Sequence, residues 1–259
     1  MRLIEALPDD DRRETLRAVF SSAAVKFSNL AADSQQGVPR SSRIVKTIGK
    51  GAASRFLVDK CGELTRAQAA LAKRIAPETP PAELYSEDAR LLPSLGWGAV
   101  DCILTSPPYP GTYDYYAQHR LRMDWLGLDG QALLEGEIGA RRDRPTGHGD
   151  DSWSAALGDT LLTLARVLRP GGALALAMGD WISADHAVDA RAALTRIAQR
   201  GPWRLESRAS VRRAVHSRKE KKAYAKRGKW EHLLLFTRLA AAEGTAQGGR
   251  GRPRPPPGT

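Results

Sequence analysis

The stretch that decides the fold is Ala99-Val100-Asp101-Cys102-Ile103-Leu104-Thr105-Ser106-Pro107-Pro108-Tyr109. Its first part is short and apolar and contains β-branched residues, which is typical of a buried parallel strand. Two consecutive prolines then end the strand, because proline cannot donate a hydrogen bond to a sheet ladder. Ligands of open α/β sheets bind at the carboxyl ends of the strands, so we expect residues 106–109 to border a cleft.

The residue types of this stretch suit methylation of a base amine. The lone pair of such an amine is delocalised into the ring, so an enzyme must accept hydrogen bonds from the NH2 group to draw that lone pair out of the plane. Ser106 Oγ and the Pro107 carbonyl are suitable acceptors, and Pro108 helps to hold the backbone rigid. Tyr109 offers an aromatic face for a base that is flipped out of a duplex. The motif therefore predicts catalytic roles for these four residues.

Thr105-Ser106-Pro107-Pro108-Tyr109 after a strand resembles the catalytic motif of amino-group DNA methyltransferases that use S-adenosylmethionine. Serine in the first place is similar to the N4-cytosine branch, since N6-adenine enzymes more often carry Asp or Asn there. The aromatic run 113–116, with its continuation to Gly127, resembles a bacterial DNA methylase subfamily. Residues 168–180 are similar to the turn and fifth strand of the methyltransferase fold. The resemblance covers roughly residues 20–237.

This resemblance implies a fold class, a cofactor and a substrate. The fold is a Rossmann-like α/β sheet, the cofactor is S-adenosylmethionine and the substrate is DNA. Asp88 is expected at the end of a short strand over residues 82–90, where the family has an acid near the adenine of the cofactor; an Asp that caps the next turn is the alternative. Thr105 and Asp180 lie at the ends of two strands and are expected to contact the cofactor at the same cleft.

The sequence departs from the family at its glycine-rich loop. A complete enzyme carries a first strand, a Phe-x-Gly-x-Gly loop against the cofactor and an acid after the second strand. The nearest candidate, Ile48–Ser54, follows a short charged segment, and no strand with an acid comes about 20 residues later. We therefore expect an incomplete sheet that lacks its first strands, and a second polypeptide that supplies the glycine-rich half. The edge of the catalytic strand would otherwise stay open to association.

The charge distribution favours a polyanionic partner. The formal net charge is +11, and residues 204–229 alone contain eleven Lys and Arg against two Glu. Basic residues interleaved with aromatic ones suit contacts to a phosphate backbone that release counterions, although a solvated hairpin loop is the alternative. The predicted DNA contacts are Tyr113, Arg212, Arg213, Arg218, Lys219, Lys221, Lys222, Lys226 and Arg227. The polar loop over residues 136–152 is a candidate for target recognition.

Composition limits the organisation and the location of the chain. Its 259 residues, 42% of them hydrophobic, can bury one sizeable core. We expect a helical and loop segment over 1–80 that packs on a catalytic core over 81–239, and a disordered basic tail over 240–259. Long apolar runs and a signal-like N-terminus are missing, so no membrane is implied and a cytoplasmic protein is expected. Two cysteines and five scattered histidines give no metal-ligand set.

Hydrophobic patterning and turn signals place the remaining elements. Proline and glycine clusters bound most of them. The predicted helices cover 14–28, 57–76, 157–168 and 187–200, and an antiparallel final pair of strands covers 203–211 and 231–238.

The function favoured by these residues and by the resemblance is methyl transfer to N4 of cytosine in DNA by direct displacement. Adenine N6 is the first alternative. The missing cofactor loop favours a subunit that binds DNA without chemistry, whereas the intact motif favours catalysis. An RNA base amine is a third alternative, because phosphate contacts do not separate RNA from DNA. A place in a restriction–modification system follows from the resemblance alone.

Overall fold

A computed structural model describes residues 1–28, 47–142 and 149–240 of the chain. Three helices precede the sheet: α1 (Arg2–Glu5), α2 (Asp11–Lys26) and α3 (Ala52–Ala72). Helix α2 begins after Asp10, whose carboxylate accepts hydrogen bonds from two backbone N–H groups of the first turn at 3.0 and 3.2 Å. The helices predicted over 14–28 and 57–76 are thus confirmed, and each begins three to five residues earlier than expected.

The rest of the described chain alternates helices and strands. In chain order its elements are β1 (Val100–Thr105), α4 (Tyr115–Leu126), α5 (Gly130–Gly136), α6 (Gly149–Val167), β2 (Leu168–Gly179), β3 (Trp181–Ser183), β4 (His186–Val188), α7 (Ala190–Ala198), β5 (Trp203–Arg213), α8 (Arg218–Ala223) and β6 (Lys229–Arg238). Helix α4 contacts α2 near the N-terminus. The rings of Phe20 and Trp125 meet there edge to face, with 5.7 Å between their centroids. None of the helices in the described ranges is long and apolar enough to cross a membrane.

Within the described ranges, the main sheet has four strands in the order β1-β2-β6-β5. Strands β1 and β2 are parallel, and β6 runs antiparallel to both of its neighbours. This arrangement confirms the predicted α/β class and the antiparallel final pair. The sheet is small, as expected for one that lacks its first strands, and β1 forms one edge of it.

One face of the sheet carries the core. Leu174, Leu176 and Met178 of β2 are completely buried there, and they pack with Trp153, Leu157 and Leu161 of α6 and with apolar residues of α7. Helices α6 and α7 therefore lie on the same face. Helix α6 leads into β2 and α7 leads into β5, so the burial of the apolar sides of these helices fixes where the two strands begin.

Three expectations about local structure are wrong. Residues 82–88 form no strand, and the acid at their end instead begins a turn. The helix predicted over 187–200 begins only at Ala190, because His186–Val188 pairs with Trp181–Ser183 in a separate two-stranded sheet. Strand β1 was expected to be buried, but Leu104 is 77% exposed, since it points to the face of the sheet opposite α6 and α7, which nothing in the described chain covers. The predicted tail, apart from residue 240, and residues 143–148 of the polar loop lie outside the described residues.

Candidate functional site

A cavity of about 660 Å³ opens where β1 and β2 end and β6 begins. Because β6 is antiparallel to β2, its first residues meet the last residues of β2 at the same edge of the sheet. The walls come from the loop after β1, the end of β2, the connection from β5 to β6 and the start of β6. The lining residues include Ser106, Pro107, Tyr109, Tyr113, Tyr115, Arg141, Gly179, Asp180, Trp181, Arg213, Glu220, Tyr224, Lys229, Trp230 and Glu231.

The double proline is held by a buried tryptophan. The indole Nε1 of Trp153 donates to the Pro108 carbonyl at 2.8 Å, so the second carbonyl of the motif has a structural partner. Gly139 makes room for this indole: its φ is 69°, and a Cβ added to it would lie 2.6 Å from Trp153 Cδ1. The same glycine accepts a hydrogen bond from the N–H of Gly111 at 2.9 Å. The loop of residues 106–109 is therefore fixed from behind, with Pro107 facing the cavity.

Tyr109 begins a row of aromatic rings along the cavity wall. Its ring centroid lies 6.4 Å from that of Tyr113, which lies 5.6 Å from that of Tyr115. The hydroxyl of Tyr109 donates to Glu231 Oε1 at 3.3 Å, and the other oxygen of Glu231 lies 3.4 Å from Arg213 Nε. Burial, aided by the neighbouring Tyr113, raises the pKa of Tyr115. Three tyrosines and one carboxylate thus form a polar and aromatic surface beside Ser106 and Pro107.

Asp180 joins four parts of the molecule at the end of β2. Its fully buried carboxylate accepts hydrogen bonds from the backbone N–H groups of Ala190 and Trp230, each at 3.0 Å, and from Arg227 at 2.7 Å. His232 Nε2 lies 3.3 Å from the same carboxylate. The protein's own donors thus surround this side chain, and the cofactor contact predicted for Asp180 stays a prediction.

The same cluster contains potential metal ligands. Atoms of Asp180, Asp189 and His232 lie within 4.8 Å of one another. The guanidinium of Arg227 is 2.7 Å from one carboxylate and 3.7 Å from the other, so a cationic side chain already balances the two acids. Burial opposes ionisation of Asp189, but the N–H of Ala192 and the adjacent arginines outweigh it and hold its pKa below the usual value.

Asp88 lies in a turn instead of at a strand end. Its Oδ1 accepts from the backbone N–H of Arg90 at 2.8 Å, and the two carboxylate oxygens also bind the Arg90 guanidinium at 2.5–3.0 Å. This pairing holds the pKa of Asp88 below its usual range. The alternative of a turn-capping Asp therefore describes its local structure, and its predicted contact with a cofactor stays a prediction.

A second cavity, of about 370 Å³, lies behind the motif beside the open edge of β1. Ser106 and Pro107 line both this cavity and the larger one, so the dipeptide forms the wall between them. Thr105 lines the second cavity as well. The remaining lining is mostly apolar and comes from Ala89, Ile103, Leu104, Pro108, Ile138, Trp153, Leu157, Thr160, Leu161, Leu164 and Leu176.

The predicted DNA contacts divide by their environment. Arg212 and Arg213 surround a recess of about 400 Å³ together with His216 and Lys229, and Arg213 also lines the large cavity. Lys219 pairs with the exposed Asp185 at 2.7 Å, and Arg227 is held by Asp180 inside the protein. The remaining predicted contacts are exposed in or near α8: Arg218, Lys221, Lys222 and Lys226. Because Ser217, which caps this helix, and Glu220 in its first turn line the large cavity, the exposed cations stand at its rim.

Helix α8 is fixed by its own capping box. Ser217 Oγ accepts from the N–H of Glu220, and the Glu220 carboxylate accepts from the N–H of Ser217. Burial opposes its ionisation, but Lys229 at 2.6 Å and these backbone donors dominate and lower the pKa of Glu220 to about 2. The basic connection between β5 and β6, residues 214–228, is therefore anchored to the start of β6.

Sequence reasoning missed Trp153, Glu231 and the role of Asp180 as a junction. Trp153 directly follows the loop that was assigned to target recognition, and it lies inside α6. Glu231 was predicted at the start of the last strand. The strand register, which sets Glu231 opposite Gly179 and near Tyr109, is the signal that could have identified its role.

No protein-family model matches this chain, and no curated protein matches it either. Three crystal structures of one protein of Thermus thermophilus, which carries a provisional description as a DNA modification methylase, align with it; one is a complex with S-adenosyl-L-methionine. The alignments have 17–18% identity and a TM-score of 0.37, and they cover 62% of this chain. They span 54–56% of the other chain, so little more than half of that protein has a counterpart here. A likeness this loose carries no information on a ligand or substrate.

Proposed function

We propose that this chain is the catalytic part of a DNA methyltransferase that transfers a methyl group from S-adenosylmethionine to N4 of cytosine. The observation that carries the proposal is the position of Ser106 and Pro107 between two cavities. A transfer site must bring two reactants together at one point, and a wall two residues thick between a polar aromatic cleft and an apolar cavity offers such a point.

The larger cavity suits a flipped base. Its tyrosine row offers a stacking surface, and its polar groups can contact the edge of a base. Ser106 Oγ and the Pro107 carbonyl accept hydrogen bonds from the base amine and draw its lone pair out of the ring plane. Glu231 holds the hydroxyl of Tyr109, which fixes the ring against Gly179. The exposed cations near α8 supply contacts to the DNA backbone at the rim.

The described residues fit the cofactor only in part. The second cavity suits an apolar ring system, but none of the described residues that line it is charged. The amino-acid end of the cofactor therefore has no ionic partner there, and the ribose hydroxyls have no carboxylate acceptor. The turn at Gly51, with φ 73°, opens α3, and no strand precedes it in the described chain. When bound, S-adenosylmethionine would supply a sulfonium methyl group as the electrophile for the amine that Ser106 and Pro107 hold, and the methylated amine would release one proton to solvent.

The test is methyl transfer from tritiated S-adenosylmethionine to DNA, with the chain alone and with the protein encoded next to it, followed by nucleoside analysis. The proposal expects N4-methylcytosine and a loss of at least about a hundredfold in rate for Ser106→Ala, because one acceptor of the amine is removed. Ser94→Ala, the same change at an exposed serine outside both cavities, is the matched control. N6-methyladenine would move the target to adenine, and a Ser106→Ala variant with full activity would overturn the mechanism.

A DNA-binding subunit without chemistry is the second candidate. The observation that favours it is the missing ionic partner for the cofactor among the described residues of the second cavity. DNA affinity without any methyl transfer, with or without the neighbouring protein, would decide for this candidate. RNA in place of DNA is tested in the same assay with a single-stranded RNA substrate.

A further inference from the structure

The face of the sheet opposite α6 and α7 presents an uncharged apolar surface. The register aligns Leu104, Ala175, Leu235 and Ser207 in one row across all four strands. The next row contains Ala177, Leu233 and Ala209. Leu104 is 77% exposed and Leu233 is 45% exposed. In a chain in which 27% of the residues are charged, two adjoining rows without a single charge indicate a surface that is covered when the protein works.

The shape of this surface is a groove. Its floor is β2, where Ala173, Ala175 and Ala177 point outward, and its walls are Leu104 on β1 and Leu233 with Leu235 on β6. Two strand spacings, about 10 Å from backbone to backbone, separate the strands that carry the walls. The groove therefore has the polarity of a seat for the apolar face of one amphipathic helix.

The groove continues into the open edge of β1. Leu104 forms one wall of the groove and also lines the 370 Å³ apolar cavity. The backbone of β1 pairs only with β2 in the described chain. Strands in parallel arrangement are normally covered on both faces, and an apolar parallel edge is normally paired. A single occupant that brings a helix and a neighbouring strand would cover the groove, the edge and the cavity together.

A second copy of this chain is disfavoured by charge. The groove wall on β6 lies next to β5. Residues 204–229, which run from β5 through the following connection to the start of β6, carry eleven cations against two acids. A two-fold contact across the groove would bring two such segments together, because each copy would use the same surface. Like charges at that distance oppose association.

We propose that the groove binds an amphipathic helix of a different polypeptide, and that a strand next to this helix pairs with the free edge of β1. The inference deepens the proposed function and rests on it in one respect, namely that this polypeptide completes the cofactor site. The contact itself follows from the groove and the edge. The occupant is recognised by its chemistry: an uncharged helix face, with small or branched apolar residues toward the alanine floor.

Site-specific cross-linking tests the occupant. A photoreactive benzoylphenylalanine replaces Leu104 or Leu233 in the full chain, produced in its natural host, and replaces Val58 of α3, which is 71% exposed, as the control. We expect the same foreign polypeptide to be attached at 104 and at 233 and not at 58. The identified polypeptide is then purified and titrated with the chain in the absence of cofactor and DNA. Leu104→Arg and Ala175→Arg are expected to weaken the complex at least about tenfold, and Val58→Arg is expected to leave it unchanged.

Four results would overturn the inference. Attachment of a second copy of the chain, attachment at 58 as well, or no attachment would do so, and so would an affinity that Leu104→Arg leaves unchanged. Leu104 is so exposed that its replacement leaves folding intact, which circular dichroism checks. A complex that forms but does not bind S-adenosylmethionine keeps the groove inference and removes the cofactor role. Full methyl transfer by the isolated chain supports the proposed function and removes the need for the partner.

Discussion

Strand β2 presents two very different faces. Toward α6 and α7 it points Leu174, Leu176 and Met178, all completely buried. Toward the other side it points three alanines, all partly exposed. The covered face has the large side chains that fill a core, whereas the bare face has a small-residue floor between two walls of leucine. The difference indicates that the core of this chain is complete on one side only.

The same asymmetry separates the two ends of the site. At the junction of β2 and β6, buried hydrogen bonds of Asp180 join a helix start, a strand and the basic connection. At the edge of β1, an apolar cavity opens beside an unpaired strand edge within the described chain. Under the proposed function, the finished end would receive the base, and the open end is where the cofactor would need further support.

The largest effect is expected at the finished end. Asp180→Ala leaves Arg227 and two backbone donors without their acceptor in a buried position, so we expect the free energy of unfolding to fall by about 3–5 kcal/mol. Urea unfolding followed by circular dichroism measures it. The matched control is Asp101→Ala, which removes an exposed pair with Arg169 and is expected to change the midpoint little. A small effect at 180 would mean that the junction relaxes around the missing carboxylate.

A comparison of two leucines sharpens the contrast between the faces. Leu176→Ala empties a completely buried position and is expected to cost about 2–5 kcal/mol. Leu104→Ala changes a residue that is already mostly exposed, so the expected change is within about 0.5 kcal/mol. Both values come from the same urea titrations. If the isolated chain lost comparable stability at both positions, the bare face would already be covered in solution.

The smallest effect is expected for the anchor of the basic connection. Glu220 has its pKa lowered to about 2 in the folded chain from an ordinary value of 4.5. A lowered pKa stabilises the folded state above about pH 4.5, and this contribution is lost as the pH falls toward 2. Between pH 6 and pH 3 the native protein should therefore lose about 1–2 kcal/mol more than Glu220→Gln does. The exposed Glu78→Gln variant should retain the full pH dependence of the native protein.

Patterning in the sequence was sufficient for the parts that depend on local signals. The position of β1 and the antiparallel final pair follow from apolar runs bounded by proline and glycine, and the structure has them. The apolar part of β2 was also expected, but the strand begins at Leu168 and includes residues 169–172, which were predicted as a turn. The helix boundaries were less accurate, because caps such as Asp10 and Asp189 outweighed the hydrophobic pattern. The short strand β4 was missed, since three residues that pair in a hairpin carry no periodic signal of their own.

The contacts of the site were less predictable, because they join residues far apart in the chain. Nothing local indicates that Trp153 holds the carbonyl of Pro108, or that Arg227 is bound by Asp180. Arg227 was predicted to meet DNA from its basic neighbourhood, and its partner in the structure is a buried acid. A charge run identifies a surface, but the register of the strands decides which of its members face inward.

Gly139 sets a limit on how this chain can vary. The backbone there has a positive φ, and the space of a Cβ is taken by the indole ring of Trp153. A larger residue at 139 would displace the ring, and with it the donor to Pro108. Positions 139 and 153 should therefore change together in descendants of this sequence. A descendant that replaces Gly139 alone would have a distorted loop even though it keeps every residue of the motif 105–109.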